Sequence, residues 1–291
     1  MAALDQLPSC LTRTDSGALY NKPGLDLLLV ETGQCRAVIA LQGAQVLEFT
    51  AQGRAPLLWL SPAAEFAPGA AVRGGVPLCL PWFGENRADP GKPKHGLVRN
   101  QLWELAGSSE QADGTVVLEL RYQHPGDALF AASFECVLKI GLGDSLSFDL
   151  ELSNTADTTA EYSWALHSYF AVADIAEVKV EGLSGISYLD KTRGFARDTL
   201  EGLQTFPGEV DRVFEQAPAT QKILTPNPIT AESDNCHTVI TWNPGAELAA
   251  TIDDIGAHFT GFVCVEHGNA FVNSWQLRAG ESARASLTLS R

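Results

Sequence analysis

Two positions in this sequence combine a proton-carrying side chain with strand-like surroundings. His167 lies in EYSWALHSYF, where alternation sets Tyr162, Trp164 and Leu166 on one face. Ser163, Ala165 and His167 fall on the other, less bulky face. An imidazole at such a strand end, with an unperturbed pKa of about 6.5, can give and take protons near neutrality. Glu266 closes the apolar run in HFTGFVCVEHG, sharing a face with Thr260, Phe262 and Cys264. A carboxylate closing an apolar run is exposed, paired or functional, because unpaired burial is costly. Taken singly, each residue is also compatible with a structural role.

A third candidate is the segment from Val72 to Trp103, VRGGVPLCLPWFGENRADPGKPKHGLVRNQLW. Its prolines at 77, 81, 90 and 93, and glycines at 74, 75, 84, 91 and 96, argue against a regular strand. Long irregular loops in compact domains are usually functional or disordered. This one carries Trp82, Phe83, Trp103, Arg73, Arg99 and His95, which is not a disordered composition. Arginine offers a planar charged fork suited to phosphate. Solvated arginines on a structural loop remain the alternative.

Competing chemistries leave no trace. There is no G-x-S-x-G elbow and no G-x-x-x-x-G-K-[ST] loop. H-E-x-x-H and C-x-x-C spacings are missing too, so no metal centre is expected from spacing. A hydrolase with paired carboxylates stays open, because pairing is invisible in sequence. The six cysteines (10, 35, 79, 136, 236, 264) read as reduced thiols, several buried, in a cytoplasmic protein. The net charge of −15 argues against nucleic acid and anionic membranes as partners. It leaves room for a small phosphorylated ligand, since a few local arginines can reverse the field in one pocket. The N-terminal MAALDQLPSC does not read as a signal peptide, and no apolar run approaches the ~18 residues of a membrane span.

The elements that must position these residues read as strands. Leu146, Phe148, Leu150 and Leu152 alternate with Ser145, Ser147, Asp149 and Glu151. Phe134, Cys136, Leu138 and Ile140 share a face, as do Val116, Leu118, Leu120 and Tyr122. Ala283, Ala285, Leu287 and Leu289 form another such set. This is the period of half-buried antiparallel strands. Gly143-Asp144 reads as a tight turn between two of them. Further strands are expected at 25–30, 35–41, 44–50, 238–242 and 247–252. No long segment has helical periodicity, and the 26 glycines and 15 prolines mark no linker. With 291 residues at 45% hydrophobic and 19% charged, one large all-β domain spanning 1–291 is expected. A jelly roll, a lectin-like sandwich and a larger twisted antiparallel β-sandwich all fit the pattern.

Several segments together resemble a known family. VRGGVPLCLPWFG, KHGLVR, ALHSYF, GEVDRVF, TWNP and FVCVE occur in the order of the aldose 1-epimerase-like proteins, across about residues 25 to 290. R-G-G-x-P followed by P-W-F-G is most similar to the branch of glucose-6-phosphate 1-epimerases. The resemblance implies a large twisted antiparallel β-sandwich of the galactose mutarotase type. It further implies isomerase activity on a small-molecule hexose 6-phosphate, without a cofactor. By position, His167 matches the family's general acid and Glu266 its general base. Arg73 and Arg99 match phosphate-associated positions, His95 a histidine near the sugar ring, and Asp211 an acid holding sugar hydroxyls. Trp82 and Phe83 match a pocket wall. An epimerase for free sugars and a non-catalytic sugar-binding module share the same outline. A monomer is the expected default. Two positions depart from the family pattern, Ser168 and the Leu277–Gly280 turn.

Overall fold

The computed structural model describes residues 7–86 and 88–291. The N-terminal end of the stretch read as lacking a signal peptide, residues 1–6, lies outside the described residues.

Two large antiparallel sheets dominate. The nine-stranded sheet runs Gln204–Thr205, Lys179–Glu181, Thr220–Leu224, Ile229–Asp234, Ser282–Ser290, Leu146–Asn154, Phe134–Leu142, Val116–His124 and Glu104–Glu110. The eight-stranded sheet runs Ala196–Thr199, Ser187–Asp190, Val210–Phe214, Thr238–Asn243, Phe262–Asn269, Trp164–Leu166 and Leu78–Cys79, with Tyr169–Ala171 also paired to Phe262–Asn269. A four-stranded sheet holds Leu11–Asp15, Asp26–Glu31, Cys35–Ala40 and Gln45–Ala51 in chain order. A short pair, Ala160–Tyr162 with Trp275–Leu277, completes the set.

The alternating residues do what their period dictates. Leu118, Leu138, Leu150 and Leu287 bury their side chains in one continuous core. From the eight-stranded sheet the same core receives Trp164, Leu166, Phe214, Val239, Val263 and Val265. At about 25 cal/mol per Å² of apolar surface, this inter-sheet burial is the main favourable term of the fold. The odd-and-even rule then fixes the other face of the eight-stranded sheet. It carries Val213, Ile240, Ala165 and Cys79 in one cluster and Tyr169, Phe262 and Cys264 in another.

Three local expectations are corrected. Residues 247–252 are not a strand: Gly245–Ala249 is a short α-helix, followed by a turn. Asn243-Pro244-Gly245 ends the preceding strand, with Gly245 at φ +62° and its N–H donating to Asn243 Oδ1 at 2.9 Å. Glu247, Leu248 and Ala249 are good helix formers once the chain has turned. Thr260 is not on the strand with Glu266, because Gly256–Gly261 is a 3-10 helix and the strand begins at Phe262. Glu266 does not sit at a strand end: the strand continues to Asn269, buried throughout. Burial on both faces erased the alternation that would have shown it. All six cysteines are free thiols, five of them buried.

Candidate active site

Register brings the ionisable residues of the outer face together. Asp211 lies opposite Trp242 and Val213 opposite Ile240. Ile240 in turn lies opposite Glu266, and Trp242 opposite Cys264. His167 follows the strand Trp164–Leu166, whose Ala165 is paired with both Cys79 and Gly268. Of these, His167, Asp211, Ile240, Trp242 and Glu266 share a cavity of about 780 Å³ with residues from the 72–103 loop.

That loop is tied down at both ends of its RGGVP segment. Gly75 N–H donates to Trp59 O at 2.8 Å and Val76 N–H to Val46 O at 2.8 Å. His167 N–H donates to Pro77 O and Tyr169 N–H to Gly75 O, each at 2.9 Å. The two glycines make this passage possible. Gly74 has φ +118° and Gly75 φ +61°, and a Cβ on either would meet backbone at 2.5 and 2.1 Å respectively. Arg73 is thereby delivered to the cavity wall. Its Nε donates to both carboxylate oxygens of Asp254 at 3.1 Å, and its Nη1 to Tyr169 Oη at 3.0 Å.

At the cavity floor, His167 Nε2 faces Glu266 Oε1 at 3.3 Å. His167 is 7% exposed and Glu266 1%. Each retains a buried polar atom without a hydrogen-bond partner, Nδ1 of the imidazole and Oε2 of the carboxyl. The imidazole lies flat on the Tyr169 ring (centroids 4.7 Å apart, 10° between planes) and meets Trp242 and His95 edge-on. Its orientation is therefore set by packing rather than by a second hydrogen bond. Burial pushes the His167 pKa well below its ordinary value, helped by the charges of His95, Arg99 and Arg73. Burial pushes Glu266 well above its ordinary value; Asp211 adds to this, while Lys191 and Arg99 oppose it.

Asp211 Oδ2 pairs with Lys191 Nζ at 2.5 Å, leaving Oδ1 buried and unpartnered. Burial raises the Asp211 pKa, with Lys191 opposing. His95 sits at the cavity with φ +64°, where Gly84 N–H approaches its Nδ1 at 3.4 Å. With Nδ1 accepting, a neutral His95 carries its proton on Nε2. Burial and four nearby cations, Arg99 first, push its pKa well down. Trp82 and Phe83 line the cavity, the former anchored by Nε1–H to Pro93 O at 2.9 Å.

Of the residues singled out in sequence, Arg73, Trp82, Phe83, His95, His167, Asp211 and Glu266 border one cavity. Arg99 does not border it: its Nη2 donates to Lys94 O at 2.8 Å. Sequence reasoning missed Lys191, Tyr169, Trp242 and Asp254. Tyr169 was in reach, two residues beyond His167 in a run read as alternating, and Trp242 stands in TWNP. Lys191 and Asp254 have no local signal, because only the folded chain brings them to Asp211 and Arg73.

An antiparallel sandwich with a buried histidine–carboxyl pair beneath a cavity on one sheet face defines a class, and comparison places this chain within it. The aldose 1-epimerase family profile matches residues 26–290, and the chain belongs to that family. A relative from Escherichia coli K12, 38% identical over 249 residues (83% of this chain, 82% of the relative), bears the name "Putative glucose-6-phosphate 1-epimerase". A plant relative from Cenchrus ciliaris bears the same name and is 32% identical over 271 residues, 88% of this chain and 81% of its own. The crystal structure of a Salmonella typhimurium protein titled a "putative mutarotase" superposes with a TM-score of 0.88 at 33% identity, covering 99% of this chain and 95% of that one. Solved structures of galactose mutarotase-like proteins share the fold.

Proposed function

We propose that this protein interconverts the α and β anomers of a hexose 6-phosphate, with His167 as general acid and Glu266 as general base. The carrying observation is the pair itself, 3.3 Å apart and buried beneath a sugar-sized cavity. Mutarotation needs two proton transfers on oxygens attached to the same carbon, so acid and base must be close neighbours. The base takes the proton of the C1 hydroxyl as the bond from C1 to the ring oxygen breaks. The acid protonates that oxygen. Rotation about C1–C2 presents the other aldehyde face, and the two transfers reverse on closure. Each group contributes typically ~10²–10⁴-fold.

One proton shared by the pair satisfies this cycle. Burial favours the neutral imidazole and the carboxylic acid, which carry the same proton count as imidazolium and carboxylate. Asp211 offers its free Oδ1 to a sugar hydroxyl, and His95 an N–H beside the ring. Trp82 and Phe83 give the sugar an apolar wall. Arg73, on the cavity wall, is the cation assigned to the phosphate; Arg99, which does not border the cavity, acts on the site only through its charge.

The same reading takes residues 1–291 as one domain, since a single core cluster runs from Leu11 to Leu289. It places the protein in the cytoplasm as a monomer, without nucleic-acid or membrane partners and without a cofactor. Among the described residues no helix is long and apolar enough to cross a membrane.

A specific observation favours a second reading, an epimerase for free sugars. Among the described residues, the cavity cations are already paired with carboxylates: Arg73 with Asp254, Lys191 with Asp211, Lys94 with Glu85. Exchange NMR on glucose 6-phosphate and glucose separates the two. Much faster anomer exchange for the phosphorylated sugar is expected. Equal acceleration of both would establish the free-sugar epimerase, and saturable binding without acceleration a sugar-binding module. The wild-type comparison is cleaner than Arg73→Ala, because Arg73 also holds the tyrosine on which His167 lies.

A further inference from the structure

Cys264 stands two residues before Glu266 on the same strand face, fully buried beneath the residues that line the cavity and packed with Tyr169 and Phe262. The proton-transfer chemistry above makes no use of it. A buried free cysteine is ordinarily a small hydrophobe, inert unless other donors are near. Here they are near. One donor atom each from His167, Cys264 and Glu266 lie within 4.8 Å of one another. Two further atoms of this cluster, His167 Nδ1 and Glu266 Oε2, are buried with no hydrogen-bond partner. No hydrogen bond from the surrounding protein therefore occupies these atoms of the imidazole and the carboxyl.

We propose that His167, Cys264 and Glu266 form a binding site for a thiophilic divalent cation of the zinc type, and that such a cation inhibits the enzyme. The donor set is sulfur, imidazole nitrogen and carboxylate oxygen, the combination zinc selects over the harder calcium and magnesium. The geometry is close to that of a tetrahedral centre. Bonds of about 2.0–2.2 Å from zinc to nitrogen and oxygen put those two donors about 3.4 Å apart. The observed separation of Nε2 from Oε1 is 3.3 Å. The sulfur, within 4.8 Å, needs to close by about 1 Å to complete the third edge, which takes a χ1 rotation of roughly 35° away from its rotamer. The fourth position faces the cavity and is left for water. Ligation displaces the thiol proton to solvent, so no oxidant or second reactant is needed.

The inhibitory part rests on the mutarotase reading. Zinc would occupy the lone pairs of the imidazole and carboxylate that move protons in that cycle, so metal and turnover exclude one another. The site escaped sequence inspection because two donors are two residues apart on one strand and the third just follows another.

The test uses the full-length protein with zinc from a chelator-buffered stock, and cobalt as a spectroscopic stand-in. One equivalent of metal per chain is expected, with a thiolate-to-cobalt charge-transfer band. Zinc should abolish anomer exchange of glucose 6-phosphate, and EDTA should restore it. Cys264→Ala should keep near-normal exchange while weakening zinc binding and inhibition at least ~10-fold, as losses of metal-site residues do. Cys264→Ser, which keeps the side-chain volume, should behave likewise. Cys10→Ser, a change at a half-buried cysteine remote in sequence, should alter neither. The proposal is overturned by the absence of a thiolate band, by equal zinc affinity in Cys264→Ala and wild type, or by an equal effect of Cys10→Ser. If untreated enzyme failed to accelerate anomer exchange, the mutarotase reading would fall, and the cobalt band would still decide the site.

Discussion

Glu266 and His267 are adjacent on one strand and point to opposite faces of the same sheet, and each helps build a pair with a histidine. On the cavity face, His167 meets a carboxyl at 3.3 Å. On the core face, His267 Nε2 meets the amide oxygen of Gln221, a residue of the other sheet, at 2.8 Å. Both histidines are buried and both have an Nδ1 without a partner. Burial lowers both pKa values, that of His267 to about 4. The difference lies in the second member. An amide cannot exchange a proton near neutrality, so the core pair is a neutral strut joining two sheets. A carboxyl can, so the cavity pair holds one mobile proton. Burial of a histidine is thus shared by the strut and the proposed active site; what separates them is an ionisable partner and an open cavity.

The comparison breaks most sharply if the cavity pair is made to resemble the core pair. Glu266→Gln does this with one atom. Anomer exchange should fall by ~10²–10⁴-fold, the range for loss of one acid–base group. Stability should hold or rise, because the wild-type carboxyl is buried against its preference. Exchange NMR and a thermal melt check both. Near-normal exchange in this variant would remove Glu266 from the proposed cycle.

The core pair is tested through stability. His267 has a folded pKa near 4 against an unfolded value near 6.5. A depressed folded pKa gives stability that is present above the unfolded value and lost as pH falls through the folded one. Over that window the unfolded chain takes up a proton that the folded core refuses. At 1.36 kcal/mol per unit the contribution is about 3 kcal/mol. In His267→Gln the stability difference between about pH 7 and about pH 4 should therefore shrink by about 3 kcal/mol. Urea unfolding at the two pH values measures it, and an unchanged difference would show that His267 does not titrate as argued.

How much of this was legible in sequence follows from the same two faces. Strands buried on one side only, such as Leu146–Asn154, were plain from alternation, and so was the split of Trp164 and Leu166 from Ser163, Ala165 and His167. The strand Phe262–Asn269 is buried on both sides, so alternation could not show that it continued past Glu266. The stretch 247–252 looked like another strand because its apolar residues are short-spaced; the Asn-Pro-Gly turn that starts a helix there was the overlooked signal. Pairings across strands were beyond reach. Nothing near Asp211 announces Lys191, and nothing near Arg73 announces Asp254. Those contacts exist because register and loop anchoring bring distant segments to one cavity.

The finest test of the cavity pair is a shift rather than a loss. In the proposed cycle the working state has one proton on the His167–Glu266 pair. It is left on the acid side when His167 also takes a proton, and on the alkaline side when Glu266 gives its proton up. With His167 pushed down and Glu266 pushed up, the active plateau should be broad and span neutrality. The Asp211 charge helps hold Glu266 up, while Lys191 pulls it down. In Asp211→Asn the negative charge is gone and the Lys191 ammonium loses its partner, so both changes lower Glu266. The alkaline limb of the kcat profile should therefore move to lower pH, by about one unit for a charge this close. The acid limb, which reports His167, should move much less, because Asp211 is not among the groups that set its pKa. The amide can still accept a sugar hydroxyl, so KM should rise only modestly. An alkaline limb that stayed in place, or moved upward, would show that Asp211 does not tune the carboxyl facing His167.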